Sequence, residues 1–188
     1  IKQLLGFARS GKYNPRPLNI NEILRVNLEM FKRTRKDIEF VTTFTKGIWN
    51  VCADRSQMEH IVMNLFLNSS EAMPGNGRIS IETHNIVLEK KRIRPDKMVA
   101  GRFVHFLIRD EGRGIKKEYI QRIFDPFFTT KRGAGGSGLG LNIVYNLVHN
   151  KLNGNVSYHK HESGGVAFRV TFPVRHEPVK EEHGGHDE

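Results

Sequence analysis

The sequence predicts an α/β fold, a two-layer sandwich with helices on one face of a mixed β-sheet and a glycine-rich loop late in the chain. Three observations carry this. Helical and strand patterns interleave in the order helix, two strands, helix, two strands, glycine-rich loop, helix, two strands. Residues 55–73 form a helical pattern that is apolar nearly all round, so this helix has to be largely buried. Residues 102–109 (RFVHFLIR) alternate as a strand does.

In chain order, residues 1–10 (IKQLLGFARS) place Leu4, Leu5 and Ala8 on or near one face and read as the end of a helix too short to stand alone. Residues 11–17 break that pattern and read as a linker. Asn19 or Asn21 can cap the next helix, whose apolar stripe is Ile23, Val26, Met30 and Phe31 and which ends in the basic run 32–36. Residues 38–44 (IEFVTTF) and 49–53 read as strands. Asp54 caps the helix over 55–73, with Gln57 at capping-box spacing. Residues 74–77 (PGNG) form a turn, 78–87 alternate as a strand, and 88–100 are charged and read as a hairpin loop. After the strand at 102–109 come a short helix at 116–122, the glycine-rich loop, and a helix over 139–151 stopped by Asn153-Gly154. Strands at 155–160 and 165–172 read as a terminal hairpin. Residues 175–188 are polar and expected to be disordered, with His176, His183 and His186 read as part of a solvated tail rather than a metal site.

The 188 residues suffice for one domain with a real core plus extensions. No apolar run approaches the roughly 20 residues of a membrane span, and the start is not a signal peptide. Ile1 in place of Met suggests a fragment of a longer chain. The single Cys52 excludes an internal disulfide and fits a reducing cytoplasm. The net charge of +10 raises nucleic acid or membrane as partners. The basic residues are scattered, however, with no long block beyond Lys90-Lys91-Arg92, so no nucleic-acid binding is expected. A polyphosphate ligand or an acidic partner protein accounts for the charge equally well.

Two stretches carry chemistry. On the helix over 55–73, His60, Asn64, Asn68 and Glu71 recur at i, i+4, i+8 and i+11, one polar stripe on an apolar rod. A buried unsatisfied amide costs about 1–3 kcal/mol. The stripe therefore faces a polar groove, a ligand or a buried network, unless Asn64 and Asn68 bond neighbouring backbone. The second stretch, 110–144, holds two glycine clusters, DEGRG at 110–114 and another from Gly133 to Gly140, separated by the aromatic-proline knot IFDPFF at 123–128. Glycines just before a helix start let backbone N–H groups approach a phosphate, with the positive helix end behind them. This stretch reads as a nucleotide lid with two hinges. Gly133, Gly135 and Gly138 satisfy G-x-G-x-x-G, but a dinucleotide site needs a strand just before, and TTKR at 129–132 is a poor one. No P-loop occurs, and the V-A-I-K, H-R-D and D-F-G marks of protein kinases are missing.

Taken together, these stretches resemble the catalytic domain of sensor histidine kinases. HIVMNLFLNSSEA at 60–72 is similar to the N box, DEGRGI at 110–115 to the G1 box, IFDPFFTTK at 123–131 to the F box and GSGLGL at 136–141 to the G2 box, all in order. The resemblance covers residues 18–174 and is strongest to the nitrogen-regulator type. It implies the GHKL superfamily, the Bergerat fold, ATP and Mg²⁺. It makes Asn68 the metal-contacting residue, with Asn64 near the phosphates one turn earlier. Asp110 then accepts from the adenine amino group, and Gly112 and Gly114 turn the chain past the base. Lys131 is the expected phosphate contact, ahead of Arg132. Gly136, Gly138 and Gly140 offer N–H groups to the phosphates, and Ile115 and Leu139 complete the nucleotide-binding set. Thr171 either reaches the Asp110 end of the pocket or simply packs in its strand.

ATP-hydrolysing relatives carry a glutamate where this chain has Asn64, an amide that cannot take a proton. The resemblance therefore implies transfer to a protein, with Asn64, Asn68 and Lys131 as the catalytic set and Glu71 not assigned as the base. His-Glu pairs occur only at 161–162 and 176–177, neither on a helix. The acceptor histidine is thus expected on a dimerisation hairpin upstream, of which residues 1–17 are the end and linker. The implied partners are that hairpin and a response regulator receiver domain, with the isolated domain monomeric and the whole protein a homodimer. The expected location is the cytoplasm, free or as the inner part of a membrane-anchored sensor. A GHKL-type ATPase or a serine kinase on the same fold is the alternative reading.

Overall fold

The computed structural model describes residues 13–88, 100–131, 133, 136–160 and 164–174. The expected hairpin-helix end at 1–10, most of the charged loop at 88–100, Arg132, Gly135, His161-Glu162 and the tail at 175–188 lie outside the described residues.

A five-stranded sheet runs in the order β2 (Ile38–Phe44), β4 (Gly77–Leu88), β5 (Gly101–Asp110), β7 (Val166–Pro173), β6 (Asn155–Lys160). Only the β2–β4 pair is parallel, so the sheet is mixed, as expected. The helices α1 (Ile20–Thr34), α2 (Arg55–Ala72) and α3 (Gly140–Asn146) cover one face. Val104, Phe106 and Ile108 of β5 point into the core with Ile79 and Ile81 of β4 and Val170 and Phe172 of β7. The alternate residues face away from the helices.

Two sequence expectations are corrected. The supposed linker contains a strand, β1 (Arg16–Leu18), paired antiparallel with β3 (Val51–Ala53). This ribbon ties the chain start to the α2 N-terminus, where the Asn14 N–H donates to Asp54 Oδ2 at 3.0 Å. The α1 stripe is also shifted. Val26 and Met30 are half exposed, whereas Leu24 and Leu28 join Ile20, Ile23 and Phe31 in the core. All of these positions are apolar and fit a 3.6-residue period; only packing against α2 chose the face.

Capping behaves as the residue types dictate, with one exception. Asn19 accepts from Asn21 N–H at 3.0 Å at the start of α1. Asp54 Oδ1 accepts from the N–H groups of Ser56 and Gln57 at 2.9 and 3.3 Å. The reciprocal half of a capping box is missing, because Gln57 Oε1, an acceptor-only atom, is buried without a partner. At the other end of α2, Arg35 donates to the carbonyls of Ser70 (3.1 Å) and Met73 (3.2 Å) and to Asp37 Oδ2 (2.6 Å). A single guanidinium thereby satisfies carbonyls that a helix C-terminus leaves orphaned. The third helix continues through a π-helical turn, Leu147–Lys151, and stops where Asn153 enters the left-handed region at φ 50°.

Arg35→Ala removes these charged donors from the α2 terminus. The expected loss is about 2 kcal/mol, seen as a melting temperature lower by about 4–8 °C in thermal denaturation. An unchanged melting temperature would show that water satisfies this helix end equally well.

Candidate functional site

The site is built where α2, the end of β5 and the start of α3 converge. Burial of Met58, Ile61, Val62, Leu65 and Phe66 fixes the rotation of α2. Its polar stripe is thereby directed at the glycine-rich segment. Asn64 Nδ2 donates to the His60 carbonyl of its own helix at 2.9 Å. Part of the stripe is thus satisfied by neighbouring backbone. Asn68 is different, because its Nδ2 is buried and has no partner. Both amides lie against the first residue of α3: a Cβ on Gly140 would sit 3.2 Å from Asn64 Oδ1 and 3.6 Å from Asn68 Nδ2. The N-box and G2-box residues, about 70 positions apart in sequence, are therefore in contact.

Strand β5 delivers Asp110 to the floor of the site, only 4% exposed. Its Oδ1 accepts from the Gly112 N–H at 3.0 Å. Burial raises the carboxyl pKa above its ordinary value, and the bond from the Gly112 N–H opposes this. The following turn is stitched to both layers, Glu111 N–H to the Arg78 carbonyl and Arg113 N–H to the Ala72 carbonyl, each at 3.2 Å. A Cβ on Gly112 would meet Ala72 Cβ at 2.6 Å, so this turn packs directly on α2. Gly114 has φ +71°, and Ile115 packs half-buried on the core. Gly165, at φ +74°, lies so close to the Asp110 carbonyl that no other residue fits.

The lid begins at a strained point. Phe127 holds φ 63°, a costly region for a residue with a side chain. A Cβ on Gly138 would lie 2.5 Å from the Phe127 carbonyl carbon, so the second glycine cluster folds back onto the aromatic knot. Asn142 of α3 donates to the Phe124 carbonyl at 2.9 Å and fixes the same contact from below. Thr129 Oγ1 accepts from Lys131 N–H, and Gly136 N–H closes the loop on the Lys131 carbonyl, both at 3.0 Å. Leu139 precedes α3, its N–H donating to Ser137 Oγ at 3.4 Å and its carbonyl accepting the first helical bond.

Lys131 does not point into open space. Its Nζ pairs with Glu71 Oε2 of α2 at 2.8 Å. Glu71 is thus the lid's partner, a role that only the fold reveals. Thr171 is the correction at this site. It pairs with His105, while Asp110 pairs with Val166, so Thr171 sits five residues along β7 and on the opposite face of the sheet. The residues that do meet Asp110 are Gly165, just before β7, and Val166, its first residue. Their signal in the sequence was the Gly164-Gly165 pair, which reads only as a turn. Among the described residues, no cluster of three or more His, Cys, Asp or Glu is placed to hold a metal ion. No helix there is long and apolar enough to cross a membrane.

Comparison with known proteins places the fold in a family. Residues 53–176, well over half of the chain, match the profile of the family described as histidine kinase-, DNA gyrase B-, and HSP90-like ATPase. The sensor kinase CckA of Brucella abortus (strain 2308) is 33% identical over 92% of this chain and 18% of its own length. The chain spans about a fifth to a third of the length of the curated relatives it matches. Among solved structures, the mycobacterial sensor histidine kinase MprB superposes with a TM-score of 0.67 at 29% identity, over 86% of this chain and 99% of that one. The histidine kinase ThkA, solved in complex with the response regulator protein TrrA, gives 0.70 at 25% identity, over 93% and 46%.

Two outcomes follow from the charges. A carboxyl whose pKa is raised on folding takes its proton more readily in the native state, so its ionised form costs stability at neutral pH. Asp110→Asn should melt higher than the parent at pH 7, with the gain vanishing as the pH falls through the raised pKa; a lower melting temperature at pH 7 would contradict this. Glu71→Gln should free Lys131 and speed proteolytic cleavage within 129–139, while cleavage elsewhere is unchanged.

Proposed function

The chain belongs to the histidine kinase-, DNA gyrase B-, and HSP90-like ATPase family. From that premise we propose that it is the ATP-binding catalytic domain of a two-component sensor histidine kinase. It transfers the γ-phosphoryl group of ATP to a histidine on a dimerisation hairpin outside residues 18–174. The observation that carries this reading is the composition of the α2 stripe. Asn64 is an amide engaged with the His60 carbonyl, and the only carboxylate on the stripe, Glu71, is engaged with Lys131. One turn before Asn68 the stripe thus carries an amide that cannot take a proton from water, and Glu71 lies three residues beyond Asn68 instead, which favours transfer to a protein over hydrolysis.

In this reading Asp110 accepts from the adenine amino group. Gly112, Gly114 and Ile115 shape the base end, and Gly136, Gly138, Leu139 and Gly140 bring N–H groups to the phosphates. Phosphoryl transfer asks chiefly for positioning and neutralised charge. Asn68, beside the start of α3, has an amide oxygen of the kind Mg²⁺ takes, so it would hold the ion together with ATP oxygens and water, while its unpartnered Nδ2 is a donor suited to a phosphate oxygen; the ion would supply charge neutralisation across the phosphates. Lys131 exchanges Glu71 for a phosphate when the nucleotide enters. A response regulator receives the group afterwards, in keeping with the ThkA–TrrA complex, and the whole protein works as a homodimer.

Calorimetric titration with AMP-PNP, with and without Mg²⁺, tests the site. Native protein should bind. Asp110→Ala should abolish binding, and Asn68→Ala should remove the Mg²⁺ dependence. Binding should also weaken as Asp110 takes its proton, at a higher pH than an ordinary aspartate would require. With ATP in place of AMP-PNP, adding a separate hairpin that bears an acceptor histidine should then yield an acid-labile phosphoprotein and ADP. Rapid phosphate release without any acceptor would favour the ATPase reading, and an acid-stable phosphoester a serine kinase.

A further inference from the structure

The sheet face turned away from the helices carries a cavity that the nucleotide site does not use. Register places its residues together. His105 of β5 lies between His84 of β4 and Thr171 of β7, and Phe103 lies beside Ile86. Arg169 follows two residues before Thr171 on the same face of β7. An open-sided cavity of about 200 Å³ lies here. Ile86, Leu88 and Phe103 form its apolar wall, and His105, Arg169 and Thr171, with Asn155 and Ser157 of β6, a polar one. Phe103 and Thr171 are buried, at 8% and 7% exposure, on a face that none of the described helices covers.

The polar wall is unsatisfied. Arg169 Nε and His105 Nδ1 are both buried and without a hydrogen-bond partner. Among the described residues, no acidic side chain lines the cavity. Glu82, a described carboxylate on this face, is engaged by Arg109 at 2.8 Å and His84 at 3.4 Å. Burial, with His84 and Arg169 adding to it, pushes the His105 imidazole down to about 4, so it is neutral at pH 7. The cavity thus holds a guanidinium that faces no carboxylate among the described residues, with its Nε unpartnered, and a neutral ring nitrogen, opposite a hydrocarbon wall. A buried donor left unpaired costs free energy that a matching acceptor recovers, and guanidinium matches the planar fork of a carboxylate.

We propose that this cavity is a binding site for a small monocarboxylate with an apolar body, its carboxylate on Arg169 and its hydrocarbon against Ile86, Leu88 and Phe103. The volume admits a ligand the size of an aromatic or branched-chain acid and excludes a nucleotide. The site is separate from the ATP pocket. It shares β5 and β7 with it, through Asp110 and Val166, but uses the opposite face.

Benzoate titrated into the ¹⁵N-labelled protein should shift amides around Phe103, His105, Arg169 and Thr171, and should do so equally with AMP-PNP present. Arg169→Gln should weaken binding at least about tenfold, while Arg169→Lys retains part of it. Benzyl alcohol, of the same shape without the charge, should leave these amides in place. Equal shifts by benzyl alcohol, or unchanged affinity in Arg169→Gln, would reduce the cavity to an apolar crevice and overturn the proposal. Tighter binding of phenyl phosphate would overturn the carboxylate assignment, and displacement by AMP-PNP the separateness of the site. If Arg169→Gln does not fold, the benzyl alcohol comparison and Arg169→Lys decide.

Discussion

Helix α2 buries Met58, Ile61, Val62, Leu65 and Phe66 completely, and a helix buried on that scale cannot rotate without moving a core of side chains. Its remaining narrow face, from His60 through Asn64 and Asn68 to Glu71, therefore has one possible direction. The caps hold the translation as firmly as the core holds the rotation. Asp54 fixes the N-terminus and joins it to the β1–β3 ribbon, and Arg35 ties the C-terminus to the end of α1. The positions of Asn64 and Asn68 follow from these constraints, and the start of α3 is seated on them.

The lid is held differently. Few of its described residues are buried, and their arrangement comes from local bonds and from one strained residue, Phe127, on which Gly138 closes. Asn142 and the Lys131–Glu71 pair tie it to the rigid layers. A segment held by a few polar contacts over an apolar scaffold opens at low cost. That suits a loop which has to admit and release a ligand, while Asp110 and Asn68 stay fixed in strand and helix.

Much of the architecture was legible in the sequence, because strand alternation, helix period and capping residues are local properties. The strands at 38–44 and 155–160 and the helix after Asp54 appear where their patterns put them. The short β1 did not announce itself, since three residues that include Pro17 and follow Pro15 carry no periodic signal and pair only because β3 is there. The face of α1 was misjudged for a related reason. Several apolar positions fit one helical period, and α2 selected Leu24 and Leu28 over Val26 and Met30.

The sequence by itself determined the inventory of the site: the amides on one helical stripe, the aspartate at a strand end and the glycines before α3. Each is set by spacing along the chain, and spacing is what a sequence records. Tertiary structure alone decided which of them meet. It put Glu71 against Lys131, Gly140 against Asn64 and Asn68, and Gly165 against Asp110. It also moved Thr171 to the other face of the sheet, where register places it beside His105. Strand register and helix docking are fixed by long-range packing between segments far apart in the chain, and no local pattern encodes them.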